Sequence, residues 1–183
     1  MGIRGTNIRR GAPRILACAA AAMLCAPAHA ADHQGIASAT VVRPNTLVKT
    51  DDLDFGSLIS GATGGTVTIN PVTNARTTTG GVTAVGNDGQ RARFQGTGGL
   101  ILIIVTGSNS VTLTRAGGGA TAMTASLTRA MANGSGGITL LAPTATLLPS
   151  GVQTYYVGGT LTVPANQPEG DYSGTFTLTV NYL

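Results

Sequence analysis

Ser173-Gly174-Thr175-Phe176-Thr177-Leu178-Thr179-Val180-Asn181-Tyr182 alternates without a break. Phe176, Leu178, Val180 and Tyr182 share one face of an extended chain, and Thr175, Thr177, Thr179 and Asn181 share the other. A period of two with β-branched residues on the polar side marks a half-buried strand. The same design recurs upstream, each time launched by a glycine pair: Gly64-Gly65-Thr-Val-Thr-Ile69, Gly80-Gly81-Val-Thr-Ala-Val85 and Gly98-Gly99-Leu-Ile-Leu-Ile103. It returns at Gly136-Gly137-Ile-Thr-Leu-Leu141 and Gly158-Gly159-Thr-Leu-Thr-Val163. The intervals are irregular, which excludes a fixed-period solenoid.

From residue 31 onward, threonine and glycine together fill one third of the chain, and one lysine and one glutamate remain. Threonine suits a pleated, half-exposed surface and glycine supplies turns. The strands expected are 36–42, 46–49, 53–58, 65–70, 76–79, 82–86, 91–95, 99–105, 110–115, 122–128, 137–142, 153–163 and 172–182. Residues 123–132 also read as a short helix. Asn87-Asp88-Gly89 reads as a hairpin turn between 82–85 and 91–94. Many short strands between glycine turns define an all-β fold, an antiparallel immunoglobulin-like sandwich, with a jelly roll as the runner-up. Leu100–Val105, six apolar residues without charge or proline, is an aggregation hazard before folding.

The first thirty residues have a different design. Arg4, Arg9, Arg10 and Arg14 precede an apolar, alanine-rich run from Ile15 to Ala26, and Ala28-His29-Ala30 has the small-x-small form of a cleavage site. That order is a signal peptide, with cleavage expected after Ala30. The organisation expected is therefore 1–30 signal peptide, 31–43 N-terminal extension or first strand, and 44–183 sandwich domain. The formal charge of +4 belongs to the leader, because residues 31–183 carry equal numbers of cations and anions. Nucleic-acid binding thereby loses its electrostatic footprint, and a polybasic membrane anchor is excluded. Cys18 and Cys25 also leave with the leader, so an exported body would be held by its core or by a partner, without disulfides. No apolar run after the leader is long enough for a membrane helix.

Catalytic constellations lack their central members. His29 lies in the leader, His33 in the N-terminal tail, and no cysteine follows residue 25. Ser-His-Asp, Cys-His and most metal-hydrolase arrangements are then unavailable. Asp51, Asp52 and Asp54 are carboxylates of the kind that calcium or glycoside hydrolysis uses, but their setting beside Thr50 and Phe55-Gly56 favours a turn into a strand. The glycine clusters have no Lys-Ser/Thr of a phosphate loop. The reading is non-enzymatic, with no cofactor and no metal.

The two ends of this pattern resemble a known family. Leu53-Asp54-Phe55-Gly56 followed by Gly64–Ile69, and Val157–Ala165 with Gly170–Tyr182, resemble the bacterial exported family catalogued as domain of unknown function forty-four-oh-two. A more distant likeness is to chaperone–usher pilin subunits, which close on an alternating strand with a penultimate tyrosine and a glycine fourteen residues from the terminus. Tyr182 and Gly170 stand at those places. The likeness implies a fold completed by a strand from another subunit. The donor would be the N-terminal extension, through Ile36, Ala39 and Val41, and the acceptor Gly170, Phe176, Leu178, Val180 and Tyr182. It departs from the pilin pattern in lacking a disulfide and in having small donor side chains.

The expected function is an exported structural protein, found from periplasm to cell surface or outside the cell, that forms fimbria-like assemblies by strand addition. Its partners would be itself or related subunits and a periplasmic chaperone, without nucleic acid. The alternative is a self-complete binding module, an adhesin or glycan-binding domain, using loop residues around Asp88, Arg91 or Asn133, with 36–42 as its own first strand.

Overall fold

The computed structural model describes residues 38–39, 46–98, 102–132, 136–142, 146–147 and 151–182. Every regular element among them is a β-strand: β1 (Thr46–Asp51), β2 (Ser57–Ile69), β3 (Arg76–Val85), β4 (Ala92–Gly98), β5 (Leu102–Gly107) and β6 (Ser110–Arg115). They are followed by β7 (Met123–Ala132), β8 (Ile138–Leu140), β9 (Thr146–Leu147), β10 (Gly151–Val163), β11 (Tyr172–Ser173) and β12 (Leu178–Tyr182). All pairings are antiparallel, so the chain has the antiparallel all-β, sandwich-like fold expected from its period-two patterning.

The large sheet is built around β10. On one side β10 pairs with β7 along Tyr155–Thr162; on the other it pairs first with β4, along Gly151–Val157, and then with β2, along Gly159–Val163. Beyond these lie β1 on β4, β3 on β2, β6 and β8 on β7, and β11 on β6. A small sheet, β12-β5-β9, forms part of the facing layer.

Alternation explains which face is buried. On β10, Tyr155, Val157, Leu161 and Val163 are buried, while Thr154, Tyr156, Thr160 and Thr162 face outward. Outward hydroxyls pair across strands, as in Thr66–Thr79 (2.7 Å) and Thr68–Thr160 (2.9 Å). Two apolar clusters result. In one, Ala92, Phe94, Met131, Tyr155 and Val157 of the large sheet meet Ile103 and Val105 of β5, with Leu178 and Val180 of β12 packed against them. In the other, Val67, Ile69, Met123, Ala125, Leu161 and Val163 meet Phe55, Val82 and Val111.

The structure redraws several expected elements. Residues 123–132 form a strand, not a short helix, because Ala125 and Met131 bury toward the core while Thr124 and Thr128 remain exposed. The 172–182 strand is interrupted: residues 174–177 leave the sheet between β11 and β12, though Phe176, Leu178 and Val180 stay half-buried as alternation requires. The 87–89 turn is not a hairpin, since β3 pairs with β2 whereas β4 pairs with β1 and β10. The run expected at 36–42 falls outside the described residues except for Ser38 and Ala39, which are exposed and in no strand.

One local device shapes the site. The separately expected strands 76–79 and 82–86 are a single β3, which folds back at Gly80-Gly81, and β2 bulges opposite between Ser60 and Gly65. The fold is sharp enough for Arg76, at the start of β3, to donate to the carbonyls of Val85 and Gly86 at its end. Backbone crosses backbone at the bend: a β-carbon on Gly65 would collide with the Thr79 carbonyl and lie 2.9 Å from Val82 Cγ2. Gly80 also has a positive φ of 67°, which glycine adopts without steric cost. The doubled-back arm, Ser57–Ser60 paired with Val82–Val85, thus lies over the inner face of the large sheet.

A candidate strand-acceptor cleft

Between this arm and the segment 167–172 lies a cavity of about 730 Å³. Its floor is apolar and comes from three neighbouring strands: Leu113 of β6, Met123 of β7, and Leu161 and Val163 of β10. Leu53, Phe55 and Leu58 form its near wall, and Pro168, Gly170 and Tyr172 its far wall. The near lip is an edge: Ser57–Ser60 pairs with Val82–Val85 on one side, and β2 meets β10 only from Gly65 onward. No described strand pairs with the other side of Ser57–Ser60.

Each lip is held in place. Ser60 Oγ donates to the Pro164 carbonyl at 3.1 Å and accepts from the Gln167 amide at 2.9 Å, which closes one end of the cleft. At the other end Asp88 acts as a latch. One carboxylate oxygen accepts from the Ser57 amide (3.2 Å) and hydroxyl (3.1 Å), and the other accepts from Arg76 (3.1 Å). Gly170 has φ +145°, and a β-carbon there would stand 2.5 Å from Arg115 Nε. The Tyr172 hydroxyl donates to the Pro168 carbonyl at 2.7 Å and ties the far wall to itself.

Hydrogen bonds from its own backbone amide, and then from the Ser57 amide and hydroxyl, hold the Asp88 carboxyl below its ordinary pKa of 3.8; Arg76 adds to them. A folded-state pKa below the unfolded value means that ionised Asp88 stabilises the fold above the unfolded pKa. That contribution disappears as pH falls through the depressed value. Acid titration is therefore expected to loosen the arm below about pH 4, and Asp88→Asn to flatten that part of the pH profile. Amide exchange along Ser57–Ser60, followed from pH 6 to pH 3, measures it. An unchanged profile in Asp88→Asn would show that the latch does not carry the dependence.

The residues singled out from the sequence are distributed as follows. Gly170 lines the cleft. Phe176, Leu178 and Val180 pack on the Phe94–Tyr155 cluster, Phe176 meeting Phe94 edge to face at 6.2 Å. Tyr182 of β12 pairs with Ile103 of β5. Ala39 is exposed, and Ile36, Val41, Ala28 and Ala30 lie outside the described residues, as does Asn133. The acids do not converge: Asp51 accepts from Thr50, Asp52 pairs with Lys49, and Asp54, at the cleft, accepts from the Gly56 amide at 2.7 Å. No group of three metal-ligating side chains occurs among the described residues. Arg91 lies 3.6 Å over the Tyr156 ring and donates to the carbonyls of Pro71 and Val72.

The floor residues Leu113, Met123, Leu161 and Val163 and the Ser57–Ser60 edge had no sequence signature of a site. Each reads simply as part of a strand, and they converge only because β3 folds back. Among the described residues no helix is long and apolar enough to cross a membrane.

Fold and cleft define the class: an antiparallel all-β domain in which, among the described residues, the unpaired Ser57–Ser60 edge borders a cavity floored by core side chains. The chain belongs to the family described as Domain of unknown function (DUF4402), whose model matches residues 46–182, from the first residue of β1 to β12. No curated protein and no solved structure matches the chain.

Proposed function

We propose that this is a non-enzymatic, exported structural protein, pilin-like in character, that assembles at the cell surface by taking a β-strand from a partner into the cleft. One observation carries the reading: the Ser57–Ser60 edge is unpaired directly beside an apolar floor of Leu113, Met123, Leu161 and Val163. An extended segment entering there would gain main-chain hydrogen bonds along the edge and bury alternate side chains on the floor. Open edges of this kind are otherwise shielded by charge, proline or a covering element. Ile59, 58% exposed on this lip, does the opposite of shielding it. A periplasmic chaperone that fills the cleft before assembly fits the same chemistry.

Two substitutions test it. Ile59→Lys places a charge on the edge at a mostly exposed position, so the stability of the monomer should change by no more than about 0.5 kcal/mol. Leu113→Arg puts a charge into the floor. Both are expected to abolish concentration-dependent assembly in size-exclusion chromatography and light scattering, with the β-type circular dichroism of the monomer retained. Undiminished assembly in both folded variants would reject the cleft as the acceptor.

A further inference from the structure

The charge around the cleft is one-sided. Four of the six described acids line it, Asp54, Asp88, Glu169 and Asp171, and its lining includes no lysine, arginine or histidine. Two cations stand behind its walls: Arg76 is engaged by Asp88, and Arg115 runs along Gly170 with its Nε buried. Glu169 and Asp171 are exposed and in no ion pair among the described residues, and Asp54 accepts from the Gly56 amide and not from a cation. Even with Arg76 and Arg115 set against two of the four acids, two negative charges are left around an apolar floor. Residues 31–183 are neutral on balance, so this is a local concentration and not a property of the whole chain.

Resting on the proposed strand addition, we infer that the cleft selects its partner by charge: its occupant is a basic, amphipathic strand of a partner protein, apolar on one face and bearing lysine or arginine on the other. An extended segment lying along Ser57–Ser60 turns alternate side chains toward Leu113, Met123, Leu161 and Val163 and the remainder outward between the lips. Those outward side chains pass between Asp54 and Asp88 on the near lip and Glu169 and Asp171 on the far wall. Cations in these places are attracted and carboxylates repelled. The two parts of the cleft then have different tasks. Burial on the floor supplies affinity, whereas exposed rim charges add little binding energy and act on selectivity and on the rate of encounter.

The probes are short acetylated and amidated peptides in which valine alternates with arginine, glutamine or glutamate, and a fourth in which glycine alternates with arginine, each titrated into the protein by calorimetry. At low ionic strength the valine–arginine peptide is expected to bind at least about fivefold more tightly than the valine–glutamine peptide, fivefold being the upper value for one exposed ion pair. The valine–glutamate peptide should be the weakest of the three. The advantage of arginine should shrink at high salt and disappear in a variant carrying both Glu169→Gln and Asp171→Asn, in which binding of the valine–glutamine peptide is unchanged. Amide exchange along Ser57–Ser60 should slow with either peptide. Equal binding of the arginine and glutamine peptides overturns the inference and leaves strand addition standing, with an uncharged strand, such as one from a second copy, as the occupant. An arginine advantage undiminished in the double variant overturns it too, as does a glycine–arginine peptide that binds as tightly as the valine–arginine one, which would show a bare acidic surface. If no valine peptide binds or protects the Ser57–Ser60 amides, the strand-acceptor reading itself falls.

Discussion

Tyr155→Ala is expected to cost about 3–5 kcal/mol, the range for removing a large aromatic ring from a packed core. Tyr155 is fully buried on the inner face of β10, between Phe94 of β4 and Met131 of β7. Its ring belongs to the cluster that joins the large sheet to β5. A domain of this size has only about 5–15 kcal/mol in total, so the variant should lose a large fraction of its stability and its urea midpoint should fall accordingly. Tyr156→Ala is the internal control. Its ring lies on the opposite face, partly exposed, with Arg91 stacked over it at 3.6 Å; the loss should be about 1 kcal/mol, the scale of an exposed cation–π contact. Urea denaturation with the slope held in common measures both. Equal losses would mean that the two faces of β10 are not inside and outside.

Gly65→Val should have the second large effect, about 3 kcal/mol, at the upper end of what overpacking typically costs. The new β-carbon has no room beside the Thr79 carbonyl, Val82 Cγ2 and the Gly81 amide. Backbone must give way, since only one of those neighbours is a side chain. The displaced part is the arm that forms the near lip, so amide protection should fall along Ser57–Ser60 and Val82–Val85 before it falls in β7 or β10. Gly118→Ala is the contrast: φ is +74° but nothing lies within reach of a β-carbon, so the cost is about 1–2 kcal/mol of backbone strain alone. If Gly65→Val costs no more than Gly118→Ala, the close crossing of β2 and β3 does not hold the arm down.

Both predictions depend on features of different legibility. The inside–outside pattern of β10 can be read directly from Gly159-Thr-Leu-Thr-Val163, because a strand's side-chain period is two and residue type then reports which face is wet. The same rule applied to residues 123–132 competes with helix-forming alanine, methionine and leucine. Strand pairing with β10 and β6 decided that segment, since neighbouring strands offered partners that an isolated helix would not have. Asp88 shows a second limit. Asn87-Asp88-Gly89 is a turn by composition, but its carboxylate is held by Ser57 and Arg76, far away in sequence, and not by a hairpin of its own.

Residue chemistry alone thus settled the all-β character, the family likeness at both ends and the scarcity of histidine, cysteine and lysine, because each is a property of composition or short-range alternation. Where the facing layer stops short was decided only in three dimensions. The cleft exists because backbones of two glycine pairs cross closely enough to fold β3 over the sheet, so that Ile59 lines the same cavity as Leu161 and Val163, a hundred residues further along the chain. Such contacts depend on register and on non-local packing, which no local pattern encodes.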